Sequence, residues 1–71
     1  PPFISYPSYE QYGDWLMSKN RPEEALDQYE KSLRNRTNRS RALKGKIVAL
    51  KALERNEEAG EVENLLTQIT T

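Results

Sequence analysis

Two stretches, Arg21-Pro22-Glu23-Glu24-Ala25 and Arg55-Asn56-Glu57-Glu58-Ala59, lie 34 positions apart and differ at one residue. Each sits between two segments with helical spacing. Before the first, Tyr9, Tyr12, Gly13 and Leu16 recur at i, i+3, i+4 and i+7, one face of a 3.6-residue period, with Trp15 widening it. Pro7 and Ser8 suit the opening of that helix. Pro22 pushes the preceding residue out of the helical region, and its own fixed φ then suits the first turn of a second helix. Glu23, Glu24 and Asp27 favour the positive end of that helix's dipole, and Ala25, Leu26, Tyr29, Ser32 and Leu33 form its inner face. Around the second stretch, Leu43, Ile47, Leu50 and Leu53 line a third helix. Ala59, Val62, Leu66 and Ile69 line a fourth, with Leu65 beside them. Gly60 weakens the start of that last helix by about 1 kcal/mol relative to Ala. Asn35 to Ser40 is a polar break with several candidate caps. No stretch alternates with period two, so strands are not expected. The expectation is an all-α chain of four helices with short loops and antiparallel neighbours.

The offset of 34 residues extends beyond the two turns. It pairs Leu16 with Leu50 and Tyr9 with Leu43, and a self-match of that period over two helices resembles the tetratricopeptide repeat. The first repeat, residues 6–37, follows the family pattern as Tyr9-x2-Tyr12-Gly13-x2-Leu16, then Ala25-x3-Tyr29, with small Ser32 three further on. Gly13 and Ala25 suit a close helix crossing, where a larger side chain would push the axes apart. Thr37 stands where the family often has Pro. The second repeat, residues 40–70, is degenerate. It reads Leu43-x2-Lys46-Ile47-x2-Leu50, then Ala59-x3-Glu63, so Lys46, Ile47 and Glu63 replace a large apolar, a small and an aromatic residue. The resemblance implies one domain over residues 1–71: two helix-turn-helix repeats stacked as a short right-handed solenoid. The start Pro1-Pro2-Phe3-Ile4, without Met, reads as a piece of a longer or processed chain.

Composition narrows the chemistry. The 71 residues contain no Cys and no His, so disulfides, thiol nucleophiles, thiolate metal sites and imidazole acid–base chemistry are excluded. The carboxylates Glu57, Glu58, Glu61 and Glu63 lack the spacing of a calcium loop, and the isolated glycines form no phosphate cradle. The expectation is a non-enzymatic chain with no cofactor. Its longest apolar run, Ile47-Val48-Ala49-Leu50, is far short of the roughly 20 residues that cross a bilayer, so no membrane insertion is expected. Nothing fixes the compartment beyond favouring a soluble, cytoplasmic setting. The zero net charge is ordered along the chain. Residues 1–30 sum to −4, residues 31–53 hold eight basic side chains and no acid, and residues 54–71 sum to −4.

The resemblance implies a scaffold that binds a peptide, another protein or a domain of its own parent chain in a groove lined by the first helix of each repeat. Carried onto this chain, that face is Pro7, Glu10, Asp14 and Met17 in repeat one. In repeat two it is Arg41, Lys44, Val48 and Lys51. Glu10 and Asp14 are expected to pair with Arg41, Lys44 or Lys51; they also stand where a carboxylate clamp would want Lys and Asn, which argues against a complete clamp. Leu65, Leu66 and Ile69, with Val62, form an apolar strip on the last helix that could bind a partner or support weak self-association. Phe3, Ile4 and Tyr6 could fold back over the core. Two alternatives stay open: a structural end-cap of a larger solenoid or enzyme with no ligand of its own, and nucleic-acid binding through Arg34, Arg36, Arg39, Arg41, Lys44 and Lys46. The acidic ends and the lack of aromatics after Tyr29 argue against the second.

Overall fold

The computed structural model describes residues 8–35 and 39–70, with side chains as far as Gln68. The readings placed on Phe3, Ile4, Tyr6, Pro7, Arg36, Thr37 and the side chain of Ile69 lie outside the described residues. The chain forms α1 (Tyr9–Ser18), α2 (Pro22–Arg34), α3 (Arg39–Ala52) and α4 (Asn56–Thr70), with no strand among the described residues. Each helix packs on the next, and α1 also touches α3. This is the all-α helical-repeat arrangement expected above.

Local chemistry explains where the helices start and stop. Ser8 caps α1 by accepting the Gln11 N–H on its hydroxyl at 3.3 Å. Pro22 begins α2, where its missing N–H removes nothing from the hydrogen-bond ladder. The ends of α1 and α3 are built alike, bond for bond. Asn20 and Glu54 each take a left-handed φ of 61°. Behind them, the Arg21 and Arg55 N–H groups reach back to the Leu16 and Leu50 carbonyls, both at 2.9 Å. The Asn20 and Glu54 N–H groups donate to the Met17 and Lys51 carbonyls, both at 3.0 Å. This Schellman pattern ties up carbonyls that a helix end leaves open. The arginines then pair with Glu24 and Glu58 one turn on. The five-residue repeat in the sequence is therefore a repeated turn.

The core is a single apolar cluster: Leu16 from α1, Ala25, Leu26 and Tyr29 from α2, Leu43, Ile47, Ala49 and Leu50 from α3, Ala59 and Val62 from α4. Tyr12, Trp15, Leu33, Leu53 and Leu66 pack against it while keeping part of their surface in water. Three expectations need correction. Tyr9, expected among the packing residues of repeat one, is 41% exposed. It is the first residue of α1, where a side chain tilted toward the N-terminus has no preceding helical turn to pack over. Its counterpart Leu43 lies a turn inside α3 and is buried. Glu10, expected on the groove, is only 4% exposed and accepts the Ser32 hydroxyl at 2.6 Å. The apolar strip on α4 also shrinks: Val62 is buried, Leu66 is half-buried, and Leu65 is exposed at 43%.

Candidate functional site

Helix α2 lies between α1 and α3 and sends Tyr29 toward both. The ring is 1% exposed. It is admitted because both neighbours offer a glycine. A Cβ at Gly13 of α1 would fall 2.7 Å from the ring's Cε1, and one at Gly45 of α3 would fall closer still. Real carbon atoms do not approach so closely, so either side chain would force the ring or a helix to move. At its far end the Tyr29 hydroxyl donates to Asp14 Oδ1 at 2.5 Å, and Arg41 Nη2 donates to Asp14 Oδ2 at 2.7 Å. Burial, followed by the adjacent Asp14 carboxylate, pushes the Tyr29 phenol well above its ordinary range, with Arg41 opposing. Asp14 in turn holds the Arg41 guanidinium above its ordinary value. One aspartate thus ties all three helices together.

Above this lock lies an open groove of about 290 Å³ between α1 and α3, lined by Asp14, Met17, Tyr29, Arg41, Lys44, Gly45 and Val48. The lining combines the apolar side chains of Met17 and Val48 with the charged ones of Asp14, Arg41 and Lys44. Val48 is 53% exposed although aliphatic. Neighbouring cations are largely taken up: Arg41 by Asp14, Lys46 by Glu30 at 3.6 Å and Lys51 by Glu63 at 3.1 Å. Lys44 makes no ion pair with any described residue.

Of the residues assigned to binding, Arg41, Lys44 and Val48 come together at this groove, joined by Met17 and Asp14 from α1. Lys51 does not join them; it bridges α3 to α4 through Glu63. Leu65 and Leu66 sit apart on α4. The pairing expected between first helices holds for Asp14 with Arg41 and fails for Glu10, which turns inward to Ser32. Gly45 is the residue the repeat alignment missed, since that alignment set Ile47 opposite Gly13. A signal was nevertheless present: Ala42, Gly45 and Ala49 place small residues at i, i+3 and i+7 on one face of α3. Among the described residues no group of three or more acidic side chains could hold a metal ion, and no helix is long and apolar enough to cross a membrane. No protein-family model, curated protein or solved structure matches the chain.

Proposed function

We propose that this chain is a protein-interaction module of tetratricopeptide type, which holds a segment of another protein or of a neighbouring domain in the groove between α1 and α3. The observation that carries the reading is an exposed Val48 in a groove shared with Tyr29 and with a Lys44 that pairs with no acid among the described residues. Arg41, Lys46 and Lys51 of the same helix are each paired with an acid of the fold. An exposed aliphatic side chain with an available charge at its flank is what a binding patch needs: area to desolvate, and a group that sets orientation. The 34-residue recurrence of the turns and the consecutive helix packing support the repeat family.

A peptide-array screen followed by amide chemical-shift mapping on the full chain tests this. Binding should move the amides of Met17, Lys44, Gly45 and Val48, and Val48→Asp should abolish it without changing the melting temperature. Shifts confined to α4, or no binding peptide, would refute the groove.

One observation favours the end-cap reading. Apart from Leu65, the exposed side chains of α4 are polar, among them Glu57, Glu58, Glu61 and Asn64, and a Cβ at Gly60 would meet nothing within 4 Å. Terminal repeats present such polar outer faces. Under that reading, groove substitutions leave every binding property of the parent protein unchanged.

A further inference from the structure

We infer that the two ends of this fold dock on each other between copies: the end carrying Arg34 and Arg39 seats on the end carrying Glu54 and Glu57 of a second copy. The groove takes no part in this contact. Ion pairs take up Arg21, Lys31, Arg41, Lys46, Lys51 and Arg55 with one acid each, and Glu10 is buried against Ser32. Among the described residues, the exposed cations Lys19, Arg34, Arg39 and Lys44 and the exposed acids Glu23, Glu54, Glu57 and Glu61 make no ion pair.

Topology sorts these charges by sign. Glu10 meets Ser32 and Asp14 meets Tyr29, so α1 and α2 run antiparallel. Across the short turn after Ala52, α3 and α4 do the same, with Lys51 meeting Glu63. Arg41, near the start of α3, meets Asp14 of α1. The start of α1, the end of α2 and the start of α3 therefore share one end of the molecule, which holds Tyr9, Arg34 and Arg39. The α1–α2 and α3–α4 turns share the other, which holds Glu23, Glu54 and Glu57. Lys44 and Glu61 each lie in the half of their helix nearer the end of their own sign. Lys19 is the exception, at the acidic end, with its ammonium 5.6 Å from the centre of the Trp15 ring. The 13 residues of α2 separate the ends by about 20 Å. That is more than twice the Debye length of about 8 Å at physiological salt, so each end presents its own sign.

Three features point to a second copy as the occupant. The net charge is zero, so no overall repulsion opposes its approach. Arginine forks suit carboxylates, and every copy carries both halves of the contact. Tyr9, 41% exposed at the basic end, adds an amphipathic ring of the kind interfaces use. A polyanion would satisfy the basic end alone. The contact joins unlike surfaces, so each added copy leaves an end free and growth passes beyond a dimer. Exposed ion pairs are weak, which makes the contact transient and sensitive to salt.

Sedimentation velocity of the full chain against concentration tests this, in about 0.01 M and about 1 M salt, where the Debye length is about 30 Å and about 3 Å. The native chain is expected to grow beyond a dimer at low salt and to sediment as a monomer at high salt. Arg34→Gln with Arg39→Gln should weaken low-salt association about tenfold, with an unchanged melting temperature showing that the fold is intact. Lys19→Gln with Lys44→Gln makes the same change in net charge away from the contact and should leave association at the native level, as should Leu65→Ser. Arg34→Glu with Arg39→Glu makes both ends acidic, and Glu54→Lys with Glu57→Lys makes both basic. Each of these should be monomeric alone, and their equimolar mixture should associate again. A native chain that is monomeric at low salt, assembly that stops at a dimer or persists at high salt, or loss with Leu65→Ser would overturn the inference. An equal loss with Lys19→Gln and Lys44→Gln would do the same. So would a short oligonucleotide that binds at low salt more tightly than a second copy and depends on Arg34 and Arg39, which would give the basic end to nucleic acid.

Discussion

Tyr29 in α2 and Glu63 in α4 hold equivalent places, 34 positions apart, yet one is enclosed and the other is at the surface, bonded to Lys51. The same contrast runs through their surroundings. Gly13 and Gly45 press on the Tyr29 ring, whereas Gly60 faces open space. Ser32 is buried against Glu10, whereas their counterparts are a half-buried Leu66 and an exposed Lys44. The turns themselves match bond for bond, so backbone geometry is not the cause. Helix α2 has a neighbour on each side, while α4 packs on α3 alone among the described residues. In a stacked fold, the number of neighbours decides which side chain a repeated position can carry.

The comparison can be broken most violently at Tyr29. Tyr29→Ala empties the space between two glycines and should cost about 3–5 kcal/mol, comparable with the whole stability of a core this small. Glu63→Ala, at the equivalent place, should cost no more than about 1 kcal/mol as the loss of one exposed pair. Urea unfolding of the two variants measures the difference directly. Next comes Ser32→Ala, which removes a buried donor to the Glu10 carboxylate and should cost about 1.5–3 kcal/mol. Disruption of an exposed group at the corresponding pair, by Lys44→Ala, should stay within about 0.5 kcal/mol.

Tyr29→Phe keeps the ring and deletes the hydroxyl's bond to Asp14, a loss of about 1 kcal/mol at neutral pH. Its pH dependence is more telling. The folded phenol titrates above its unfolded value, so folding favours the protonated form. That contribution is complete below about pH 10, the ordinary tyrosine value, and declines as pH rises beyond it. Melting curves for the native chain should therefore fall faster above pH 10 than those of Tyr29→Phe. The smallest effect is a gain. Glu54 holds a left-handed φ of 61° that costs a non-glycine residue roughly 1–2 kcal/mol, and Asn20 holds the same angle with a residue that tolerates it. Glu54→Gly should raise stability by about 1 kcal/mol in thermal melts, and Asn20→Gly by less.

The helices, their boundaries and most of the core were legible because Pro22 and the 3.6-residue spacing act locally. The contacts between repeats were harder. Aligning α1 with α3 set Ile47 opposite Gly13, but α3 meets Tyr29 on a different side from α1, and the glycine that admits the ring is Gly45. A self-alignment preserves position along a helix and says nothing of which neighbour each side will meet. Glu10 was misplaced for a related reason. A charge was assigned to the solvent face, while the small Ser32 opposite left just enough room for a carboxylate and a donor to satisfy it. Arg41, Lys44 and Val48 came together as their spacing implied, because one face of one helix carries all three.

One substitution made at two glycines tests the neighbour account most directly. Gly to Ala within a helix is worth about 1 kcal/mol of stability where nothing obstructs the methyl group. At Gly60 nothing does, and denaturant unfolding of Gly60→Ala should show that gain. At Gly45 the methyl meets the enclosed Tyr29 ring, and overpacking of about 1–3 kcal/mol should outweigh the helical gain. Opposite signs for the two variants are the predicted result. A stability gain at Gly45 equal to that at Gly60 would contradict the account.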